Sequence, residues 1–173
     1  MFRFSCIFLI FFTPTHAKTN EMYGEITHQC VLDIVQKFSL VKQDTVVDLG
    51  SGNGNACFYF SPFVEKCIGY EIVHERYQKS IENNNTTNTE FYWKDFTTLD
   101  TIEASVLFTH STMFDKHLLQ NASDLIHRSP TIRIVFSQKA LPNMGNRERF
   151  YCKFSWSGHE NTEIYVYRPH EEL

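Results

Sequence analysis

Three glycines at alternate positions, Gly50, Gly52 and Gly54, follow a β-branched run and precede a predicted helix. Glycine suits a tight turn there, and the lack of a Cβ lets a ligand come close to the backbone. The first turn of the following helix also offers N–H groups that have no partner within the helix. This strand–loop–helix order predicts a ligand-binding loop at the carboxyl end of the first strand.

An acidic residue, Glu71, lies at the end of the next predicted strand, 17 residues after Gly54. A carboxylate in that place can accept hydrogen bonds from both hydroxyls of a ribose. Taken alone, Glu71 could instead be a solvated residue at a strand end. The loop and the carboxylate together predict a nucleoside-bearing cofactor at the carboxyl ends of the first two strands.

The spacing of the glycines distinguishes between classes of cofactor. A dinucleotide-binding loop has the pattern G-x-G-x-x-G, whereas this chain has G-x-G-x-G preceded by Asp48 and Leu49. The segment D-L-G-S-G-N-G from Asp48 resembles motif I of the class I S-adenosylmethionine-dependent methyltransferases. In that family an acidic residue after the third strand bonds the adenine amino group and a neighbouring ring packs the base, and Asp95 and Phe96 stand in those places. From the residues alone, Asp95 could also be a turn or helix cap.

A closer resemblance runs from about Tyr23 to Tyr167. Five segments carry it: the tripeptide Y-G-E from Tyr23, the V-D-L-G-S-G loop, the D-F pair, the S-V-L-F strand segment and F-S-W-S-G from Phe154. Together they are similar to the Dot-one-like (disruptor of telomeric silencing) lysine methyltransferases, which lack a SET domain. The resemblance implies that S-adenosylmethionine is the cofactor. It also implies that the cofactor-binding residues are Tyr23, Glu25, Asp48, Gly50, Gly52, Gly54, Asn55, Glu71, Asp95 and Phe96.

The candidate catalytic residues are His110 and Trp156. His110 stands where the family has an asparagine at its lysine channel, and Glu163 stands where the family has a tyrosine. An imidazole could position the methyl acceptor or take its proton, or it could be a loop histidine bonded to backbone. Trp156, together with Phe108 and Phe114, could form an aromatic channel that favours a neutral lysine by desolvation, or all three could be core residues.

Hydrophobic patterning places these residues on alternating strands and helices. The predicted strands are 45–49, 66–72, 90–94, 104–109, 132–137, 150–154 and 162–167, and the predicted helices are 27–38, 55–60, 74–82 and 114–127. Alternation predicts an α/β fold with a mainly parallel sheet covered on both faces, and the last two strands predict an antiparallel pair. With the resemblance, the expected architecture is a Rossmann-like, doubly wound, seven-stranded sheet, the class I methyltransferase fold.

The first seventeen residues have the pattern of a secretory signal peptide. Arg3 precedes a nine-residue apolar run, 4–12, and Ala17 is the small residue before the expected cleavage site. Residues 18–173 would then form a single methyltransferase domain in a secreted protein. The alternatives are a buried N-terminal helix, or a start codon placed too early in a cytoplasmic protein that truly begins at Met22. The run is too short to span a membrane.

Charge and cysteine content limit the partners. The chain has 16 Lys and Arg residues against 20 Asp and Glu residues, a net charge of −4, so we expect no direct binding of nucleic acid and no membrane association. Beyond the predicted leader, four cysteines could pair in three ways in an oxidising compartment, or could be small buried hydrophobes. No cysteine or histidine spacing indicates a metal site. We expect a monomer.

Three functions are compatible with these features. The first is methylation of lysine side chains in a protein, and the second is methylation of a small molecule. The third is a secreted module that binds the cofactor without turnover, against which the intact Gly50, Gly52, Glu71 and Asp95 argue. Because S-adenosylmethionine is made in the cytosol, a secreted enzyme would act in the cytoplasm of another cell.

Overall fold

The computed structural model describes residues 25–158 and 160–170. The predicted signal peptide and Tyr23 lie outside the described residues. Within them the strands are β1 (Thr45–Leu49), β2 (Lys66–Glu71), β3 (Thr89–Trp93), β4 (Val106–Thr109), β5 (Ile134–Ser137), β6 (Arg147–Cys152) and β7 (Thr162–Tyr167). The α-helices are α1 (His28–Lys37), α2 (Asn55–Phe60), α3 (His74–Glu82) and α4 (Lys116–His127).

The strands form one seven-stranded sheet in the order β3-β2-β1-β4-β5-β7-β6. Strands β1 to β5 are parallel to one another, whereas β7 runs antiparallel to both β5 and β6. The predicted α/β fold with an antiparallel C-terminal pair is therefore confirmed. Strand order reverses between β1 and β4, and ligands of such sheets bind outside the carboxyl ends of the strands at that point.

The alternation of side chains along the central strands builds a core on each face of the sheet. Val46 packs into the cluster that includes α1 and α2, whereas Val47 packs into the cluster that includes α4. On β4, Phe108 belongs to the first cluster and Leu107 to the second. Because neighbouring residues of a strand point to opposite faces, these continuous apolar runs require helices on both sides.

Two predicted boundaries move for identifiable reasons. The last long helix begins at Lys116 rather than at 114, because the Asp115 side chain caps it by accepting a hydrogen bond from the Leu118 N–H at 2.8 Å. Strand β6 begins at Arg147 rather than at 150, because its first three residues pair with β7 although all three are exposed and charged. Cross-strand pairing, not hydrophobicity, specifies that end of the strand.

A disulfide joins Cys30 on α1 to Cys152 on β6, with 5.3 Å between the two Cα atoms. Cys57 and Cys67 are free thiols, both buried. The structure therefore selects one pairing and leaves the other two cysteines as core residues. Within the two described ranges, no helix is long and apolar enough to cross a membrane.

Candidate active site

A cavity of about 420 Å³ opens at the carboxyl ends of β1, β2 and β4. This volume lies in the range of small-molecule sites. The cavity is at the reversal of strand order, where the fold leads one to expect a ligand. The sequence-predicted residues that line it are Glu25, Asp48, Gly50, Gly52, Asn55, Glu71, Asp95, Phe96 and His110.

The glycine loop is held against the end of β2. The N–H groups of Gly50 and Ser51 both donate to the Tyr70 carbonyl, at 2.9 and 3.0 Å. Gly50 has a φ of +80°, and a Cβ there would lie 3.4 Å from the ring of Phe114. The loop therefore turns in a backbone conformation that glycine adopts most readily, directly beneath an aromatic wall of the cavity.

Gly54 is not among the residues that line the cavity, although the sequence placed it in the cofactor-binding set. It precedes α2 with a φ of +90°, and a Cβ there would lie 2.5 Å from the Phe91 ring on β3. Its small size therefore allows α2 to pack against the sheet. This packing role comes from a tertiary contact that the loop sequence alone does not reveal.

Glu71 lies at the end of β2 with 5% of its surface exposed. One carboxylate oxygen accepts from the Gly52 N–H at 2.8 Å, and the other accepts from the Val73 N–H at 2.7 Å. A carboxylate offers about four acceptor positions, so about two remain for a ligand in the cavity. This arrangement fits the two hydroxyls of a ribose.

Asp48 contributes a buried carboxyl to the wall of the cavity. Its side chain is buried, and its Oδ1 accepts no hydrogen bond within the described structure. Burial, with a further contribution from the negative charge of Glu71, raises the pKa of Asp48 to about 8. Because a buried carboxylate oxygen without a partner is costly, a positively charged group in the cavity would be stabilised beside Asp48. The ammonium and sulfonium of S-adenosylmethionine both meet that requirement.

Residues 25–27, here called the N-terminal strap, cross one side of the cavity. The Glu25 N–H donates to Ser155 Oγ at 3.0 Å, and the Ser155 N–H donates to the Glu25 carbonyl at 2.9 Å. The Thr27 hydroxyl donates to the Lys153 carbonyl at 2.7 Å. The amide of Asn55 donates to the Glu25 carboxylate, so the strap is tied to both the glycine loop and residues 153–155.

Asp95 both caps a short helix and lies on the cavity wall. Its Oδ1 accepts from the Thr97 N–H at 2.9 Å at the start of the 3₁₀ helix Phe96–Thr98. Phe96 is stacked on Phe114, with ring centroids 5.4 Å apart and an interplanar angle of 23°. The cap fixes the position of Asp95 at the cavity, and the two rings form an apolar surface suited to a planar base.

His110 follows β4 and lies against an aromatic pair. Its ring centroid is 4.9 Å from that of Trp156 and 5.4 Å from that of Phe154. Burial lowers the pKa of His110 to about 4, so the ring is neutral at physiological pH. Its Nε2 lies 2.9 Å from the Thr112 hydroxyl, so its partner is a side chain and not the backbone. Trp156 packs on His110 but is not among the cavity-lining residues, and 41% of it is exposed.

The sequence-based prediction missed several residues in or beside the site. Arg76 and Lys94 line the cavity near Glu71 and Asp95, and Met113 lines its outer end with 79% of its surface exposed. Thr112 and Gln138 come together through strand pairing of β4 with β5. Lys94 stands directly before the D-F pair and could have been included on that ground.

In residues 25–158 and 160–170, no cluster of His, Cys, Asp or Glu could hold a metal ion.

Comparison with known sequences identifies a related family. The family model described as "Histone methylation protein DOT1" matches residues 14–151. The matched range contains the glycine loop, Glu71, the D-F pair and His110, and it ends before Phe154. No curated protein matches this chain.

Solved structures share the fold at low sequence identity. An RNA methyltransferase from Salinibacter ruber in complex with S-adenosyl-L-homocysteine is 18% identical, with a TM-score of 0.66, and the match covers 84% of this chain and 93% of that one. The tRNA (m1A58) methyltransferase TrmI from Aquifex aeolicus is 17% identical, with a TM-score of 0.62 and coverage of 85% and 70%. The N-methyltransferase NodS from Bradyrhizobium japonicum WM9 is 11% identical, with a TM-score of 0.63 and coverage of 83% and 94%.

Proposed function

The chain belongs to the DOT1 family of histone methylation proteins, whose model matches most of its length, and we propose that it methylates lysine side chains of a protein. It is an S-adenosylmethionine-dependent methyltransferase with the corresponding mixed sheet. The cofactor supplies an electrophilic methyl group on a sulfonium. The surroundings of His110 provide the main support for a lysine as the methyl acceptor.

The cavity residues have separate tasks in holding the cofactor. Asp48 would pair with a positive charge of the methionine end, and Glu71 would accept the ribose hydroxyls. The free oxygen of the Asp95 carboxylate would accept from the adenine amino group, beside the ring of Phe96. His110, after the end of β4, lines the same cavity and packs on Phe154 and Trp156, so an acceptor beside it would face the methyl group of a bound cofactor.

The observation that favours a lysine acceptor is the desolvation around His110. The same burial that lowers the pKa of this imidazole to about 4 would lower the pKa of an amine beside it. A lysine must lose its proton before its nitrogen can attack, and apolar surroundings favour that loss. Once the amine is neutral, alignment of nitrogen, methyl carbon and sulfur accounts for most of the catalysis.

His110 itself is poorly suited to remove the proton. A base with a pKa of about 4 lies far below the pH at which a lysine deprotonates. We therefore assign it a positioning role toward the acceptor nitrogen. His110→Ala should lower turnover while leaving the affinity for S-adenosylhomocysteine unchanged, because the ribose and adenine contacts lie on other strands.

The test uses the full chain, S-adenosylmethionine with a labelled methyl group, and purified core histones. Mass spectrometry should find the label on lysine nitrogens, and histones with those lysines replaced by arginine should remain unlabelled. Label on arginine or on the histone amino termini alone would contradict the proposal. Parallel reactions with total RNA and with a protein-free small-molecule extract test the two other acceptor classes.

We also propose that the protein is exported. The Cys30–Cys152 disulfide supports this, because disulfides form and persist in oxidising compartments. Since the cofactor is made in the cytosol, the exported enzyme would act after reaching the cytoplasm of another cell. Intact-mass measurement of the native protein should find an N-terminus after Ala17, and an N-terminus at Met1 or Met22 would refute export by this route.

A further inference from the structure

A hydrogen-bonded chain, here called the Thr112 bridge, connects His110 through Thr112 to Gln138. Nε2 of His110 lies 2.9 Å from the Thr112 hydroxyl oxygen, and that hydroxyl donates to the amide oxygen of Gln138. The neighbouring pair Ser111 and Ser137 is also hydrogen-bonded, at 3.0 Å. Two adjacent contacts therefore fix the segment after β4 on the end of β5.

The direction of the Thr112 bridge determines where the proton on His110 resides. A threonine hydroxyl carries one proton, and here that proton is donated to the Gln138 oxygen, which can only accept. The Thr112 oxygen must then accept from His110, so Nε2 carries the ring proton. In a neutral imidazole the other nitrogen, Nδ1, is a hydrogen-bond acceptor.

The surroundings keep the ring in this state. The rings of Phe154 and Trp156 pack on it, and burial opposes a second proton on the imidazole. No described residue hydrogen-bonds to Nδ1. Since His110 lines the cavity and its Nε2 is engaged, Nδ1 is the ring nitrogen that remains for a ligand.

We propose that Nδ1 of His110, fixed as an acceptor by the Thr112 bridge, accepts an N–H from the amine to be methylated and so limits the enzyme to acceptors that carry at least one N–H. This inference rests on the proposed lysine acceptor. Thr112 and Gln138 are positioning residues that act through the imidazole. The site thereby distinguishes amines by their number of hydrogens and not by charge.

The transfer step strengthens this contact. The nitrogen lone pair forms the new N–CH₃ bond while the S–CH₃ bond breaks, and the bonding pair remains on sulfur as a neutral thioether. The positive charge passes from sulfur to nitrogen, and the proton stays on nitrogen, hydrogen-bonded to Nδ1, until the product leaves and loses it to solvent. A hydrogen bond that gains charge in the transition state is stronger there than in the ground state, and so it raises the rate.

The consequence is a limit on the degree of methylation. Neutral lysine has two N–H groups and monomethyl-lysine has one, so each can bond to Nδ1 and still direct its lone pair at the methyl carbon. Neutral dimethyl-lysine has none. The enzyme should therefore make monomethyl- and dimethyl-lysine and transfer a third methyl group about tenfold more slowly, the factor that corresponds to one lost hydrogen bond.

The tautomer is tested first, on the full chain without substrate, by ¹⁵N NMR of the histidine rings. The wild type should show His110 protonated on Nε2, as should Thr112→Ser, which keeps the hydroxyl. Thr112→Val removes the hydroxyl that accepts from Nε2, so the fraction of rings protonated on Nδ1 should increase. A ring protonated on Nδ1 in the wild type would overturn the proposal, whether or not any lysine is methylated.

The acceptor limit is tested with peptides that carry unmodified, monomethyl- or dimethyl-lysine at one site. Wild type should methylate the monomethyl peptide about tenfold faster than the dimethyl peptide, and His110→Phe should bring the two rates together. Thr112→Val should lower kcat without changing the Kd for S-adenosylhomocysteine, and Thr112→Ser should restore kcat. Equal wild-type rates on the two methylated peptides would refute the inference, whereas no transfer to any peptide would contradict the proposed function instead.

Discussion

Asp48→Asn should abolish the pH dependence of cofactor binding near neutrality. Asp48 is buried and its Oδ1 has no partner within the described structure, while its pKa is raised to about 8 by burial and by Glu71. At pH 7 about one molecule in ten therefore carries the ionised carboxylate. If a positive charge of the cofactor pairs with that carboxylate, binding requires the loss of a proton.

The magnitude follows from the pKa. Below pH 8 the affinity should rise almost tenfold per pH unit, which is about 1.4 kcal/mol of binding free energy. Between pH 6 and 7.5 the total gain should be about 25-fold. Over this range His110 stays neutral, since its pKa of about 4 lies well below it, and an α-amino group with a pKa near 8 stays largely protonated.

Isothermal titration calorimetry in two buffers of different ionisation enthalpy measures the protons released. The wild type should release about 0.9 proton per cofactor at pH 7, and Asp48→Asn should release almost none and bind with a flat pH profile. S-adenosylhomocysteine is the matched ligand, because it keeps the ammonium but lacks the sulfonium charge. Proton release with S-adenosylmethionine alone would assign Asp48 to the sulfonium. The same pH profile in the wild type and in a folded Asp48→Asn variant would refute the reasoning.

Three further perturbations test the site and the fold. Glu71→Ala should weaken S-adenosylhomocysteine binding in calorimetry by about 1.5–3 kcal/mol for each ribose bond lost, and unchanged affinity would remove Glu71 from the site. Cys30→Ser, which breaks the bond to Cys152, should lower the free energy of unfolding in urea by about 2–5 kcal/mol and weaken cofactor binding, because the N-terminal strap leads directly into α1. The pKa of His110 is about 4 in the folded state and about 6.5 in the unfolded state, so the unfolded state binds more protons as the pH falls. The free energy of unfolding of the wild type should therefore decrease by up to about 3 kcal/mol between pH 6.5 and pH 4. His110→Phe should lose correspondingly less stability over this range, and equal losses would contradict the burial argument.

Local signals in the sequence were sufficient for the elements and for much of the candidate site. Strand β1 and helix α3 have the bounds that their patterning predicts, since a buried strand and an amphipathic helix each depend on side chains within one short segment. The glycine loop, Glu71 and the D-F pair lie at the ends of successive strands. In a parallel sheet those ends meet at one edge, and the order of elements along the chain therefore indicated where a cofactor would lie.

The contacts that only the tertiary structure determined join residues far apart in the chain. Cys30 pairs with Cys152, 122 residues away, and nothing near either cysteine specifies the other. Gly54 packs against Phe91 on another strand, and His110 reaches Gln138 through Thr112 only because β4 and β5 pair. The sequence by itself determined which segments form strands and helices, because that choice depends on neighbours a few positions away. It did not determine every end, since pairing with β7 extends β6 back to Arg147. Contacts between segments determine what each side chain touches, how it is protonated and what it can bind, and only the folded chain creates those contacts.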